Sequence, residues 1–230
     1  VKTGSVHPEL IYIIDGHIDN TSDYAPDRCP GSDDNASGTA AVIEAARVFA
    51  DMNFDCTVWF IGFTGEEQGH YGSLDYAAQQ RALGANIRAV INLDMIGYNS
   101  DASPVYEMHI RPSAAYPEDW EIATTVRDVV SLYNLNLITQ IVQDSWWISD
   151  HDSFWDYGYP AVWVFEDYEN FNPYYHSTND QIESVNMPYV RDIVRAAVGA
   201  AAHLAHVIDL KPTFLPGTWR AYNAGEAPQP

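Results

Sequence analysis

Short apolar runs alternate with helix-like segments along most of this 230-residue chain. The runs are rich in β-branched and aromatic residues, which is typical of β-strands. Strands are predicted at residues 9–16, 56–64, 87–95, 105–111, 136–142 and 160–166. Helices are predicted at residues 36–51, 71–83, 117–133, 151–157 and 188–209. Strands that alternate with helices favour an α/β fold with a largely parallel sheet.

Two of the predicted strands, at 56–63 and 160–165, are apolar almost without interruption. Strands of this kind are covered on both faces, so we expect a three-layer α/β/α arrangement around a central, largely parallel mixed sheet. The length predicts a single domain over residues 1–210, followed by a Pro- and Gly-containing tail at 211–230. Asp34 and Asn35 are the candidates for capping the first helix.

The chain is strongly acidic, with 32 Asp and Glu against 11 Lys and Arg and a formal net charge of −21 at pH 7. A field of this sign repels phosphate groups and argues against nucleic acid and anionic membrane surfaces as partners. No run of 18 apolar residues occurs, so no membrane-spanning segment is predicted. An acidic, lysine-poor composition suits an extracellular or secreted protein.

The two cysteines are expected at opposite edges of the sheet. Cys29 precedes the first helix, and Cys56 opens the second predicted strand. A nine-residue strand spans about 30 Å, whereas a disulfide needs its two Cα atoms within about 7 Å. Both cysteines are therefore predicted to be free thiols.

Carboxylate and imidazole side chains follow four of the predicted strands, at the point where each strand ends. They are His17 and Asp19, then Glu66 and Glu67, then Asp94, and finally His176, while Asp33 and Asp34 precede the first helix. Because ligands bind beyond the carboxyl ends of parallel strands, we expect these side chains to lie together. Each alone has a plain structural explanation, such as a helix cap for Asp34 or a solvated loop for the two glutamates.

Together, these groups predict a metal site, because clustered carboxylates without cations would repel one another or take up protons. Nitrogen and oxygen ligands without sulfur suit zinc, with cobalt or manganese as possible substitutes. Two histidines and three carboxylates suit two metal ions about 3.5–4 Å apart that share one carboxylate and one water. Of the two adjacent glutamates, one would bind metal and the other would act as a general base.

Six motifs within residues 9–208 occur in an order that is familiar from one enzyme family. They are GHIDN, PGSDDNASG, FTGEEQGHYGS, INLDMIGY, SDHDSF and YHSTND. In this order they resemble metallopeptidase family 28, the di-zinc aminopeptidases that include secreted bacterial leucyl aminopeptidases. The resemblance implies the zinc-dependent exopeptidase fold, which is phosphorylase/hydrolase-like, and two zinc ions per chain.

The resemblance also implies roles for individual residues. His17 and Asp94 would bind one zinc, Glu67 and His176 would bind the other, and Asp34 would bridge the two. Asp33 would be a neighbour of the site and not a ligand.

Further roles implied by the resemblance concern the chemistry around the ions. Glu66 would take a proton from the metal-bridging water and deliver it to the leaving amine. Tyr175 would steady the tetrahedral oxyanion, and Asp19 would fix the tautomer of His17. Asp150 and His151 belong to the SDHDSF motif and are expected in the shell around the ligands.

The implied activity is hydrolysis of the N-terminal peptide bond of a peptide with a free N-terminus. Acidic groups near the site could receive the substrate ammonium, and arginine is scarce around the motifs, so an aminopeptidase is favoured over a carboxypeptidase. The side-chain pocket is predicted to be apolar, while Asp144 could instead favour a basic residue. The pocket candidates are Met95, Trp146, Trp147, Ile148, Trp163, Phe165, Tyr168 and Phe171.

The remaining histidines are expected to be structural. They are His7, His70, His109, His203 and His206. Of these, His70 stands close to the two glutamates, at a position where relatives usually carry an aliphatic residue. Family members also usually carry a helix and strands before the segment that begins here. Three explanations are open: a minimal version of the family, a processed protein, or a homo-oligomer or partner chain that completes the sheet at the N-terminal side.

Three other functions stay open at this point. One is a single-zinc cyclotransferase or a carboxypeptidase of the same fold. Another is a binding module that uses metal for stability alone. A calcium-binding acidic module is the third, although EF-hand spacing is absent and histidine is a poor calcium ligand.

Overall fold

A six-stranded sheet forms the centre of the computed structural model, which describes residues 1–101, 103–144, 146 and 148–208. The strands are β1 (His7–His17), β2 (Cys56–Phe63), β3 (Asn86–Leu93), β4 (Val105–Ile110), β5 (Ile138–Gln143) and β6 (Ala161–Glu166). Their order across the sheet is β2-β1-β3-β6-β4-β5. Neighbouring strands are parallel except for β4, which is antiparallel to β6. The prediction of a largely parallel mixed sheet is confirmed.

Within the described part of the chain, five helices cover the two faces of this sheet. They are α1 (Ala36–Phe49), α2 (Tyr71–Ala82), α3 (Pro117–Leu132), α4 (His151–Asp156) and α5 (Met187–Leu204). One apolar cluster joins the sheet to α1, α3 and α5, and a second joins it to α2 and α4. Within β1, Ile14 belongs to the first cluster and Ile13 to the second, as expected for a strand that is buried on both sides.

The last helix is shorter than predicted. It ends at Leu204, whereas the sequence pattern predicted a helix to residue 209. His206 adopts the left-handed conformation (φ 56°), and the chain then turns back so that Val207 pairs with Phe54 ahead of β2. Pairing with the loop before β2 thus replaces the last helical turn. The predicted tail at 211–230 lies outside the described residues.

Local polar contacts explain how the first helix begins. Asn35, and not Asp34, caps α1, since its side-chain oxygen accepts the Gly38 N–H at 2.9 Å. The Asn35 amide also donates to the Leu93 carbonyl at 2.9 Å, which fixes the start of α1 to the end of β3. Asp34 is therefore available for other contacts.

The two cysteines are unpaired, as predicted. Cys56 is buried at the start of β2, and Cys29 is half-buried in the loop before α1. Among the described residues, no helix has the length and hydrophobicity needed to cross a bilayer.

The described residues also contain two short 3-10 turns that were not predicted, Tyr168–Asn170 and Ile182–Ser184.

Candidate metal centre

Imidazole and carboxylate groups meet at the carboxyl ends of β1 and β3. His17 is the last residue of β1, and Asp94 directly follows β3. The two strands are parallel neighbours with Asp15 opposite Asn92, so His17 and Asp94 lie next to each other. The Nε2 atom of His17 is 3.2 Å from Asp94 Oδ1 and 3.2 Å from Asp34 Oδ1.

The Asp34 carboxylate lies between two imidazoles. Its Oδ1 faces His17, and its Oδ2 is 3.2 Å from His176 Nε2. The same His176 nitrogen is 2.9 Å from Glu67 Oε2. The five residues therefore form two half-sites, one with His17 and Asp94 and the other with His176 and Glu67, which share Asp34.

The spacing and chemistry of these groups fit divalent metal. In a tetrahedral zinc site with bonds of about 2.0–2.1 Å, neighbouring ligand atoms are roughly 3.3 Å apart, close to the separations found here. Ligand atoms of His17, Asp34 and Glu67 all lie within 4.8 Å of one another. Glu67 Oε1 is buried and accepts no hydrogen bond from the described residues. A buried carboxylate oxygen of this kind is costly unless a cation binds it.

The charges of the site are unbalanced without an ion. Burial on its own would lower the pKa of His17, but the Asp94 and Asp34 carboxylates outweigh burial and raise it. His176 behaves in the same way, and contacts with Asp34 and Glu67 raise its pKa to about 10. A ligating imidazole must be neutral, so a metal ion at these two rings would compete with protons for their nitrogens.

A second layer of polar contacts holds Asp34 in position. The Asp180 carboxylate accepts the main-chain N–H groups of Asp33 and Asp34, each at 3.1 Å. Asp33 points away from the imidazoles, and its carboxylate accepts the Gly97 N–H at 2.7 Å and the Asn172 amide at 2.9 Å. Asp33 therefore neighbours the cluster without joining it, and burial raises its pKa to about 6.

Asp19 supports the site through both its main chain and its side chain. The His17 Nδ1 atom is 2.9 Å from the main-chain carbonyl of Asp19 and 3.9 Å from its carboxylate. The carboxylate accepts the N–H groups of Glu66 and Glu67, each at 3.3 Å. Asp19 therefore meets the Nδ1 side of the His17 ring through its main-chain carbonyl, while its carboxylate holds the loop after β2.

Glu66 lies at the edge of the cluster, where the sequence placed a general base. Its Oε2 atom is 3.9 Å from His17 Nε2, and its Oε1 atom is 3.3 Å from His70 Nε2. Burial raises the pKa of the Glu66 carboxyl. His70 was expected to be structural, yet it contacts Glu66 on one side and Asp152 on the other. The sequence did offer one signal for the contact with Glu66, namely that His70 stands close to the two glutamates.

Tyr175 lies over the second half-site. Its ring stacks on the His176 ring, with centroids 3.7 Å apart and an angle of 20° between the planes. The side chain is 43% exposed, so an incoming molecule could reach it. Burial and the charges of Asp34 and Asp94 raise the pKa of the phenol, which therefore stays protonated.

The SDHDSF segment, residues 149–154, contacts the candidate metal centre through its first residue. Ser149 donates a hydrogen bond to Asp94 Oδ2 at 2.7 Å, a contact that sequence reasoning missed. Asp150 is completely buried, and burial raises its pKa to about 7. His151 is also completely buried, and its Nε2 lies 2.8 Å from the Trp146 carbonyl. Its ring stacks on Trp163, so His151 supports the aromatic side chains and not the metal ligands.

Aromatic side chains continue outward from Asp94. Met95, Trp163 and Phe165 form one buried cluster with Trp146 packed against it, and the Trp163 indole donates to the Asp94 carbonyl at 3.2 Å. These residues are the base of an aromatic wall. The more exposed pocket candidates are Ile148, Tyr168 and Phe171. Phe171 links the wall to Tyr175, with ring centroids 5.3 Å apart. Trp147 lies outside the described residues.

Asp144 is engaged within the protein. Its Oδ2 is 2.8 Å from His109 Nδ1, while Glu107 Oε2 is 3.0 Å from the other ring nitrogen. The His109 ring packs between Trp146 and Trp163. Asp144 therefore serves the aromatic wall, which weakens its earlier interpretation as a receptor for basic side chains.

Comparisons with known proteins bear on the family and the fold of this chain. The model of peptidase family M28 matches residues 1–201. The probable aminopeptidase YDR415C of Saccharomyces cerevisiae is 31% identical, over 88% of this chain and 55% of that protein. Aminopeptidase YwaD of Bacillus subtilis is 30% identical, over 84% of this chain and 41% of its own length. The chain thus spans about half the length of the curated relatives it matches.

Solved structures show the same fold. The LapA aminopeptidase of Legionella pneumophila superposes with a TM-score of 0.72 at 24% identity, over 85% of this chain and 50% of that one. BSAP, a zinc aminopeptidase from Bacillus subtilis, gives a TM-score of 0.72 at 23% identity, over 90% of this chain and 48% of that one. The match of the family model over most of the chain decides the classification, and this chain belongs to peptidase family M28.

Proposed function

We propose that this chain is the catalytic part of a zinc-dependent aminopeptidase that releases the N-terminal residue of peptides. The observation that carries the proposal is the Asp34 carboxylate, which faces His17 on one side and His176 on the other. Two half-sites that share a carboxylate are typical of metal pairs in aminopeptidases. Relatives named as aminopeptidases support the same activity.

His17, Asp34 and Asp94 would hold one zinc, and Asp34, Glu67 and His176 would hold the other. When bound there, zinc supplies a Lewis acid that polarises the scissile carbonyl and lowers the pKa of water. The protein residues around it position the substrate and move the proton.

Glu66 is the proton carrier in this proposal. Its Oε2 atom lies near the first half-site, 3.9 Å from His17 Nε2. The attacking water would be held beside this oxygen. Burial raises the pKa of Glu66, which brings the carboxylate closer to the value at which a general base works best near neutral pH. Glu66 would take a proton from the attacking water and pass it to the leaving amine.

Tyr175 would stabilise charge on the substrate. Because its pKa is raised, the phenol remains a hydrogen-bond donor at neutral pH. It would donate to the carbonyl oxygen, which becomes negative as water attacks.

Two features suggest how the substrate N-terminus is recognised. Glu66 and Asp94 place negative charge where a substrate ammonium would bind. The aromatic wall built on Met95, Trp163 and Phe165 offers an apolar surface next to Asp94. We therefore propose a preference for a large hydrophobic N-terminal residue.

The test compares leucine p-nitroanilide with its N-acetylated form, in which an uncharged acetamide replaces the ammonium group while the leucyl side chain and the scissile bond stay the same. We expect hydrolysis of the free amine and at least about a 100-fold lower kcat/KM for the acetylated form, since a lost charge-assisted contact in a low-dielectric site costs about 3 kcal/mol. Equal rates on the two substrates would contradict an aminopeptidase.

Arginine p-nitroanilide tests the side-chain pocket in the same assay. Because Asp144 is engaged by His109, the leucyl substrate should react faster than the arginyl one. A faster arginyl substrate would contradict the apolar pocket while leaving the aminopeptidase activity intact.

A further inference from the structure

We propose that His70 is a positioning residue for Glu66, in a chain of contacts that runs from Asp152 through the His70 ring to the Glu66 carboxylate. The inference rests on the proposed function, in which Glu66 acts as the general base. His70 Nε2 is 3.3 Å from Glu66 Oε1. The opposite ring nitrogen, Nδ1, is 3.0 Å from both oxygens of Asp152. Each nitrogen of the ring therefore faces a carboxylate.

The backbone brings the ring to this position through a tight turn. The N–H groups of Gly69 and His70 both donate to the Glu66 carbonyl, at 2.8 and 2.9 Å. His70 itself adopts the left-handed conformation, with φ 58°, at the start of α2, and its side chain does not cap the helix. A residue with a Cβ atom adopts this conformation at a cost, which the ring contacts help to offset.

Asp152 gives the chain of contacts a rigid anchor. It lies in the first turn of α4 with its side chain 9% exposed, and its N–H donates to the Ser149 carbonyl at 3.1 Å. Ser149 in turn holds Asp94 through its hydroxyl. One turn of the chain, residues 149–152, therefore supports a candidate metal ligand through Ser149 and the candidate base through Asp152.

We infer that the two carboxylate oxygens of Glu66 have different roles: one is held by His70, and the other is free to take the proton. With Oε1 engaged by His70, Oε2 stays on the side of His17. A free glutamate side chain samples several rotamers, and each unproductive one lowers the rate of the proton transfer. His70 should therefore raise kcat through Glu66 and have little effect on substrate binding.

The first experiment is a double-mutant cycle of His70→Leu and Glu66→Gln, measured on leucine p-nitroanilide. We expect His70→Leu alone to lower kcat about 10- to 100-fold with KM changed by less than about threefold, the range found for residues that orient catalytic groups. In the Glu66→Gln background, the same His70 change should lower kcat by less than about threefold. Equal losses of kcat in both backgrounds, or no loss in the single variant, would overturn the inference.

Ser73→Ala is the matched control for a simple defect in the same helix start. Ser73 donates to the His70 carbonyl at 3.1 Å and contacts Ser153, but does not touch the His70 ring. This variant should lower the melting temperature and leave kcat and KM unchanged. Metal content by mass spectrometry should be the same in wild type and His70→Leu, and a loss of metal in His70→Leu would overturn the inference.

A measurement that does not use activity separates this inference from the proposed function. In nitrogen-15 NMR spectra of metal-free protein, Glu66→Gln and Asp152→Asn should each shift the ring resonances of His70. Ring resonances that neither variant shifts would overturn the contact chain, whatever the activity. The His70 resonances could shift as expected in both variants while the wild-type protein hydrolyses no aminoacyl p-nitroanilide. That result would instead overturn the proposed function and, with it, the role of His70.

Discussion

Two clusters of buried charge lie at opposite edges of the sheet, and they differ in whether the chain completes them. At one edge, Arg111 donates to both oxygens of Asp119, at 2.7 and 2.9 Å, and to the Tyr159 carbonyl at 3.2 Å. The guanidinium also packs over the Tyr116 ring, 3.9 Å from its centroid. Asp119 accepts a further hydrogen bond from the Ala161 N–H, so both partners are satisfied within the protein.

The candidate metal centre at the other edge is not satisfied in this way by the described residues. There, Asp34, Glu67 and Asp94 face imidazoles, and Glu67 Oε1 has no hydrogen-bond donor among the described residues. The comparison separates a charge pair whose hydrogen bonds are complete within the protein from a charge cluster that leaves a buried carboxylate oxygen without a donor among the described residues. Strand direction explains the placement, because β4 runs antiparallel to its neighbour β6 and so carries Arg111 to the edge where β6 begins.

The largest expected effect comes from chelation, which should act on one cluster only. Removing metal should lower hydrolysis of leucine p-nitroanilide by at least about 1,000-fold, and added zinc should restore it, since the metal supplies the main electrophilic assistance. The melting temperature should also fall, because an ion that binds only the folded state stabilises it. An activity that survives complete removal of metal would contradict the comparison.

Glu66→Gln should come next in size. The amide keeps the shape of the side chain but cannot take up a proton, so kcat should fall about 100- to 10,000-fold. Metal content should not change, because Glu66 is not one of the five proposed ligands. Near-normal activity with metal retained would show that a group other than Glu66 takes the proton from the attacking water.

Asp119→Ala tests the closed cluster. It leaves the Arg111 guanidinium buried without its carboxylate, which should lower the free energy of unfolding by about 3–5 kcal/mol in urea melts. The kcat of the protein that remains folded should not change. The control is the double variant Arg111→Met with Asp119→Leu, which removes both charges and should recover much of the lost stability. A double variant as unstable as Asp119→Ala would show that the pair contributes packing and not charge balance.

The smallest effect is expected at His151, which links the two regions. Its ring contacts Trp155 on the side of Arg111 and Trp163 on the side of Asp94. Complete burial lowers the pKa of His151 to about 3. Between pH 6.5 and pH 3, the unfolded chain binds a proton on this residue that the folded chain does not, so stability falls as the pH falls.

Urea melts at pH 7 and pH 5 measure this contribution. Between these two values, wild type should lose about 1–2 kcal/mol more of its free energy of unfolding than His151→Gln does. Equal losses in the two proteins would mean that His151 has the same pKa in the folded and the unfolded chain.

Sequence reasoning reached the strands and the strand-end residues because both signals are local. An apolar run that is followed by Asp94, or by His17, can be recognised from a few consecutive residues. The contacts it missed join distant segments, such as His70 with Asp152, which are 82 positions apart. It also did not identify which strands run opposite to the rest, namely β4 and β5, since the apolar runs indicate where strands lie but not their direction. The end of α5 was misplaced because pairing with Phe54 decides it.

The most direct test of the account is the zinc content of the purified protein, measured by mass spectrometry without prior exposure to chelator. The account predicts about two zinc ions per chain, as expected for a shared-carboxylate site. His176→Ala should retain about one, because it breaks only the half-site with Glu67, and Asp119→Asn should retain both. One zinc ion or none in wild type would contradict the five-ligand site and favour a single-zinc cyclotransferase or a metal-stabilised binding module.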